Sequence, residues 1–175
     1  MSEKTQENLK AAFAGESQAN RRYLAFAQRA ADEYKEGIYK LFYAIAEGET
    51  IHALKHLQHM KAVKGTRENI EAAMSGEMHE FKSMYPQMVA DAKAEGQKGA
   101  EIVLTHAMEV EKVHHDLLQQ ALEQLDDFPV QDYYICPACG YIAAQKAPET
   151  CPVCGARKSA FYLAMSQKED GIPNL

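Results

Sequence analysis

Five glutamates and two histidines occupy positions where a helical protein normally keeps apolar core side chains. Glu16 shares a helical face with Leu9, Phe13 and Tyr23, and Glu49 and His52 share one with Phe42 and Ile45. Glu77 and Glu80 fall in the stripe of Ile70, Met74, Phe81 and Met84, while Glu111 and His114 fall in that of Leu104, Met108 and Leu118. Burying one unpaired carboxylate costs several kcal/mol, so five without a cation would overwhelm the stability of an ordinary domain. Lys and Arg are scarce on these stripes, which leaves metal ions as the counter-charge. Carboxylate oxygens with two imidazoles suit iron or manganese better than zinc. A Glu followed by His three residues later puts both donors on one helix face. Glu49 with His52 and Glu111 with His114 therefore form the paired signature of a two-metal helical bundle. Glu77-x-x-Glu80 is weaker by itself, because Glu33-x-x-Glu36 and Glu68-x-x-Glu71 repeat it at helix ends.

A second chemistry lies at the other end of the chain. Cys136-Pro-Ala-Cys139-Gly140 and Cys151-Pro-Val-Cys154-Gly155 are two near-identical turns that together offer four thiolates in tetrahedral array. The glycine after each second cysteine permits the tight backbone that turns amide N–H groups toward sulfur. Four thiolates accept zinc or iron, and a structural zinc ribbon is the plainer alternative. Tyr134, Tyr141 and Phe161 as an apolar shell, and a redox site in the same chain, favour iron.

The elements that must position these groups are legible from periodicity. Residues 5–125 are rich in helix formers, and glycines at 37, 65, 76 and 96 punctuate them. Helices are expected over roughly 5–33, 37–64, 69–95 and 99–125, with Pro86 kinking or interrupting the third. Four such helices imply an all-α four-helix bundle. If antiparallel helices share a site, the turn lies midway between their ligands. The midpoint of Glu16 and Glu49 is 32.5, beside Tyr34–Gly37, and that of Glu77 and Glu111 is 94, beside Gly96. Each ligand then sits about 25 Å from its turn, and the two hairpins are quasi-repeats.

Asp126-Asp127-Phe128-Pro129 ends the helical pattern. We expect a bundle domain over 1–128, a linker at 129–132 and a metal-bound β-hairpin domain with a tail over 133–175. Some thirty residues bury too little apolar surface to fold without the metal. The net charge of −6 among 175 residues gives no basic footprint for nucleic acid. No apolar run reaches membrane-spanning length and no signal-peptide core follows Met1, so the expected location is cytoplasmic, where cysteine pairs serve as metal ligands rather than disulfides.

These segments resemble the rubrerythrin family over essentially the whole chain. They are Gly15-Glu16-Ser17-Gln18-Ala19 with Asn20–Tyr23, Glu49-Thr50-Ile51-His52-Ala53, Gly76–Phe81 with Met84-Tyr85-Pro86, Glu111-Lys112-Val113-His114, and both cysteine turns. The resemblance implies a ferritin-like bundle with a C-terminal rubredoxin-like domain. It implies a di-iron centre held by Glu16, Glu49, Glu77, Glu80, Glu111, His52 and His114, with Glu49 and Glu111 bridging. One iron in that family moves between Glu80 and His52 with oxidation state, and Tyr23 and Tyr85 match tyrosines that hydrogen-bond the carboxylate ligands. It further implies one mononuclear iron on Cys136, Cys139, Cys151 and Cys154, and a homodimer or higher oligomer in which the rubredoxin-like domain of one subunit lies near the di-iron site of another. The activity implied is reduction of hydrogen peroxide to water in oxidative-stress defence, with electrons from a rubredoxin or an NAD(P)H-dependent reductase. A ferritin-like iron-oxidising protein and a non-enzymatic protein with a structural zinc ribbon are the competing classes.

Overall fold

The computed structural model describes residues 1–164. They fall into two compact units, one of residues 1–64 and one beginning at Gly65. The reading of the last ten residues as a tail lies outside the described residues.

The first unit is a helical hairpin of α1 (Glu3–Asp32) and α2 (Glu36–His59). Ser2 starts α1 by accepting the Thr5 N–H on its hydroxyl at 3.3 Å, which satisfies one of the free donors of the first turn. The helix closes at Tyr34, which adopts φ 58°. There the Tyr34 N–H donates to the Ala31 carbonyl and the Lys35 N–H to that of Ala30, the paired bonds of a left-handed helix stop. Between the helices lie small side chains, the buried Ala27, Ala30, Ala46 and Ala53, which let the two backbones approach closely. Tyr23, Phe26 and Phe42 cluster on the same hairpin with ring centroids 5.6–6.2 Å apart.

Periodicity extends α2 to about residue 64, yet it stops at His59. Lys61 takes φ 52°, and the Ala62 N–H folds back onto the Leu57 carbonyl. This left-handed stop ends the helix before the apolar pattern does. Gly65, which periodicity marks as the break, instead stands before α3 and donates its N–H to Glu68 Oε2 at 3.2 Å.

The second unit opens with α3 (Thr66–His79), continues through a five-residue π-helical segment (Glu80–Met84) into α4 (Tyr85–Ala94), and turns at Gly96 into α5 (Lys98–Glu123). Both α3 and α4 pack on α5. The interruption expected at Pro86 falls just upstream of it. Proline offers no N–H and its ring crowds the carbonyl four residues back. Widening the preceding turn relieves this, and the Tyr85 N–H reaches the Glu80 carbonyl five residues earlier. After α5, residues 128–132 carry neither helix nor strand. A three-stranded antiparallel sheet follows in the order β2-β1-β3: β1 (Tyr133–Ile135), β2 (Ile142–Ala144) and β3 (Tyr162–Leu163), with Tyr134 opposite both Ala143 and Leu163. Among the described residues no helix is long and apolar enough to cross a membrane.

Tyr34 is 93% exposed, so its side chain contributes little to offset its left-handed backbone. Tyr34→Gly is expected to stabilise the hairpin by about 1 kcal/mol, read as a raised urea midpoint at unchanged slope.

Candidate metal centres

In the first hairpin the ligand atoms of Glu16, Glu49 and His52 lie within 4.8 Å of one another. The two carboxyl groups hydrogen-bond each other. That bond, then burial and the Glu49 charge, raises the Glu16 pKa, while the same bond lowers that of Glu49 against the effect of burial. His52 turns its Nδ1 to Glu49 Oε2 at 3.1 Å, although its side chain is 61% exposed.

Asn20, one turn beyond Glu16, sets this geometry. It is buried, and its amide donates to the Ala46 carbonyl at 2.8 Å and to Thr50 Oγ1 at 2.9 Å. Thr50 in turn donates to the Ala46 carbonyl at 3.2 Å. This clamp fixes the register of α1 against α2 beside both glutamates. Periodicity gives Asn20 no role, because a single polar residue on an apolar face does not reveal that its partner is a backbone carbonyl 26 positions away.

The second hairpin repeats the pattern with Glu77, Glu111 and His114, again within 4.8 Å. Burial first, then the hydrogen bond to Glu111 and its charge, raises the Glu77 pKa. His114 Nδ1 stands 2.8 Å from Glu111 Oε2 and 3.9 Å from Glu77 Oε1. Metal–ligand bonds of about 2.0–2.2 Å place neighbouring donors some 3 Å apart, so each triad fits around one cation.

Three expected participants stand apart from the triads. Glu80 lies in the π segment, half-buried and outside the Glu77, Glu111 and His114 group. Its N–H still bonds back to the Gly76 and Glu77 carbonyls, so it keeps helical register with Glu77, and the widened turn begins beyond it. Tyr23 and Tyr85 make no hydrogen bond to a carboxylate among the described residues. The Tyr23 ring stacks on Phe42, with centroids 6.2 Å apart. Tyr85 does sense the carboxylates, since burial and then the charges of Glu111, Glu80 and Glu77 raise its pKa. Of the histidines assigned to surface or neighbouring positions, His115 is enclosed. Its ring meets Phe81 edge-on at 5.6 Å, and its Nε2 is buried without a partner among the described residues.

The four cysteines converge as their spacing requires. Cys136 and Cys154 Sγ atoms are 3.6 Å apart, as are those of Cys139 and Cys151. A tetrahedron with metal–sulfur bonds near 2.3 Å has edges of about 3.8 Å, whereas a disulfide is about 2.05 Å. Burial raises the Cys139 thiol pKa against a hydrogen bond from the Tyr141 amide. Burial acts the same way on Cys151, but the amides of Cys154 and Val153 and the neighbouring thiols bring its pKa down. Those inward amides are what the Cys-x-x-Cys-Gly turns were expected to supply. Gly140 has φ 86° and rests on Val110, with Cγ1 3.8 Å from where a Cβ would stand.

The same turn touches the second triad, because His114 Nε2 lies 3.4 Å from the Gly140 carbonyl. Donation from Nε2–H selects the tautomer whose Nδ1 lone pair is free for a metal. The family resemblance places the rubredoxin-like domain near another subunit's site. Here the cysteine turn lies against α5 of its own chain, because the short connection after α5 folds the sheet back onto that helix.

Comparison with known proteins finds family matches over both the helical segment and the cysteine segment. The Rubrerythrin family model matches residues 7–122, and the model described as Rubrerythrin, rubredoxin-like domain matches residues 134–162. Rubrerythrin-2 of Clostridium acetobutylicum is 36% identical over 90% of this chain and 95% of its own length. Nigerythrin of Nitratidesulfovibrio vulgaris is 34% identical over 90% and 85%. The solved structure of fully reduced, all-ferrous nigerythrin aligns with a TM-score of 0.57 at 32% identity, covering 91% of this chain and 86% of that one.

Asn20→Ala removes two hydrogen bonds and leaves buried acceptors behind. A loss of about 1–3 kcal/mol is expected in urea denaturation. Stripping metal from the cysteine site with acid and chelator is expected to abolish amide-exchange protection in β1–β3 while α5 stays protected, because the sheet has too small a core to persist alone.

Proposed function

Because this chain belongs to the rubrerythrin family of di-iron proteins, we propose that it is a peroxidase that reduces hydrogen peroxide to water, with electrons entering through its four-cysteine site. The observation that carries this reading is the double engagement of His114. Its Nδ1 faces Glu111 and Glu77, and its Nε2–H faces the carbonyl of the residue after Cys139.

Reduction of H2O2 to two waters takes two electrons and two protons. When bound, a pair of ferrous ions supplies both electrons without releasing a radical, and a single iron among four thiolates cycles by one electron. The residues that would hold iron are Glu16, Glu49 and His52 on the first hairpin and Glu77, Glu111 and His114 on the second. Glu80 and His52 serve as the alternative ligands expected from the family. Two carboxylates held side by side repel each other, and a cation bound between them would turn that repulsion into attraction, which favours metal uptake over an empty site. Burial and then the charges of Glu111, Glu80 and Glu77 raise the Tyr85 pKa, so a neutral hydroxyl stands near these carboxylates. His114 links the Gly140 carbonyl to the second triad by one side chain, a short covalent and hydrogen-bonded route between the two centres.

An iron-oxidising or storage role has no use for the cysteine turn, because it needs no electron entry from a reductant. The electron donor we infer is a rubredoxin or an NAD(P)H-dependent reductase, the working location is cytoplasmic, and the assembly is a homodimer or larger.

Cys139→Ser is expected to reduce steady-state peroxide turnover with an external donor at least tenfold. It should leave intact a single peroxide-driven oxidation of the chemically reduced protein, followed by stopped-flow absorbance. Normal turnover in this variant would remove electron entry from the cysteine site.

A further inference from the structure

We propose that the second cysteine turn, with Arg157 and Lys158 beside it, is the docking face for the electron donor, and that this donor is an acidic one-electron carrier protein. The proposal rests on the reading that electrons enter through the four-cysteine site, and it adds the face and the charge of the partner.

The two cysteine turns have near-identical sequences but different surroundings. The first is covered by α5, where Gly140 rests on Val110 and its carbonyl lies 3.4 Å from His114 Nε2. The second opens outward. Around the place where a Cβ on Gly155 would stand, no atom of the described residues beyond its chain neighbours comes within 4 Å, and Pro152 and Gly155 are exposed. Each turn contributes one buried thiol, Cys136 or Cys151, and one partly open thiol, Cys139 or Cys154. Cys139 belongs to the turn that meets α5, which leaves Cys154 as the partly open thiol of the outward turn. Electron transfer weakens steeply with distance, so a donor arriving from outside is best placed there.

Charge marks the same face. Between Tyr133 and Ala164 the basic residues are Lys146, Arg157 and Lys158 and the acidic one is Glu149, a positive surplus on a chain of net charge −6. Backbone pairing holds Arg157 beside the turn. Arg157 bridges Thr150, the Cys151 N–H donates to the Ala156 carbonyl at 2.7 Å, and the Lys158 N–H donates to that of Glu149 at 3.0 Å. Lys158 Nζ pairs with Glu149 Oε1 at 2.7 Å, whereas Lys146 and Arg157 are exposed and form no ion pair among the described residues. A charged rim around a small apolar centre, here Pro152 and Val153, suits a transient interface of modest area. A carrier must leave after each electron, so long-range attraction that speeds encounter serves better than a large apolar contact. The carrier loses one electron and the four-thiolate centre gains it, with no bond made or broken.

The test uses the full chain with zinc in the four-cysteine site, which holds the turns without redox chemistry, and a zinc-loaded free rubredoxin of net negative charge as probe. In two-dimensional amide NMR the probe should shift residues 151–158. Its Kd at low ionic strength should rise about tenfold for Arg157→Glu, with Arg157→Gln between that variant and the wild type. Lys10→Glu makes the same change of net charge at an exposed helical position and should alter the Kd by less than about twofold. The difference between wild type and Arg157→Glu should vanish at high salt, where the Debye length falls to about 3 Å, an effect that a folding defect would not produce. Unchanged affinity in Arg157→Glu, shifts confined to other surfaces, or equally strong binding of cytochrome c, a basic carrier, would each overturn the docking face. If the zinc form binds through residues 151–158 but the iron-loaded protein takes no electron from reduced rubredoxin, the face stands and electron entry through the cysteine site fails instead.

Discussion

The structure depends on a contact that is unfavourable by ordinary standards, namely two carboxyl groups pressed together within each helical hairpin. Glu16 meets Glu49 and Glu77 meets Glu111; the nearness of Glu49 is the first cause that raises the Glu16 pKa, whereas at Glu77 burial leads and the nearness of Glu111 adds to it. Like charges at such separation persist only where the backbone leaves no alternative. The backbone constraint is visible in small details. Alanines bring α1 and α2 close together, the Asn20 amide bonds across to the Ala46 carbonyl, and left-handed residues at 34 and 96 close both hairpins tightly. The scaffold spends stability on electrostatic crowding that a bound cation reverses.

Metal binding and order in the C-terminal sheet meet at one imidazole. The His114 ring nitrogens face different partners, and the Gly140 carbonyl chooses which of them carries the proton. Gly140 can sit there because its φ of 86° suits glycine and because Val110 lies directly beneath it. A side chain at position 140 would be strained by that backbone angle more than by crowding, since 3.8 Å is ordinary van der Waals contact. The cysteine turn thus acts on the carboxylate site as an outer-sphere partner, the kind of contact that orients a metal-ligating histidine.

Much of this was legible in the sequence, because two periodicities had to agree. Helical spacing put glutamates on apolar stripes, and the hairpin midpoints of 32.5 and 94 fall within two residues of the observed turns at Tyr34 and Gly96. The cysteine tetrad was readable for a similar reason, since the two Cys-x-x-Cys-Gly turns specify both ligands and backbone. What escaped depends on single backbone angles or long-range partners. Nothing in the composition of residues 60–65 shows that Lys61 turns left-handed and ends α2 early. Pro86 announced a break, but nothing in its own identity says that the break takes the form of a five-residue π segment just upstream rather than a kink. Tyr23 looked like a hydrogen-bond donor from its motif, whereas within its own hairpin it is an aromatic packing residue against Phe42.

A triad of two carboxylates and one imidazole supplies fewer donors than an octahedral ion takes, so each triad by itself leaves coordination positions open. A cation entering either triad would replace the mutual repulsion of its two carboxyl groups with attraction to one shared charge, and would stabilise the hairpin that holds it in proportion to its affinity. The alanine packing and the Asn20 clamp hold α1 against α2 beside Glu16 and Glu49 whether or not a cation is present, so the cost of crowding falls on the empty hairpin and its relief on the loaded one. The carboxylate pairs that look least favourable in isolation are thus the feature that makes each hairpin favour its metal-loaded form.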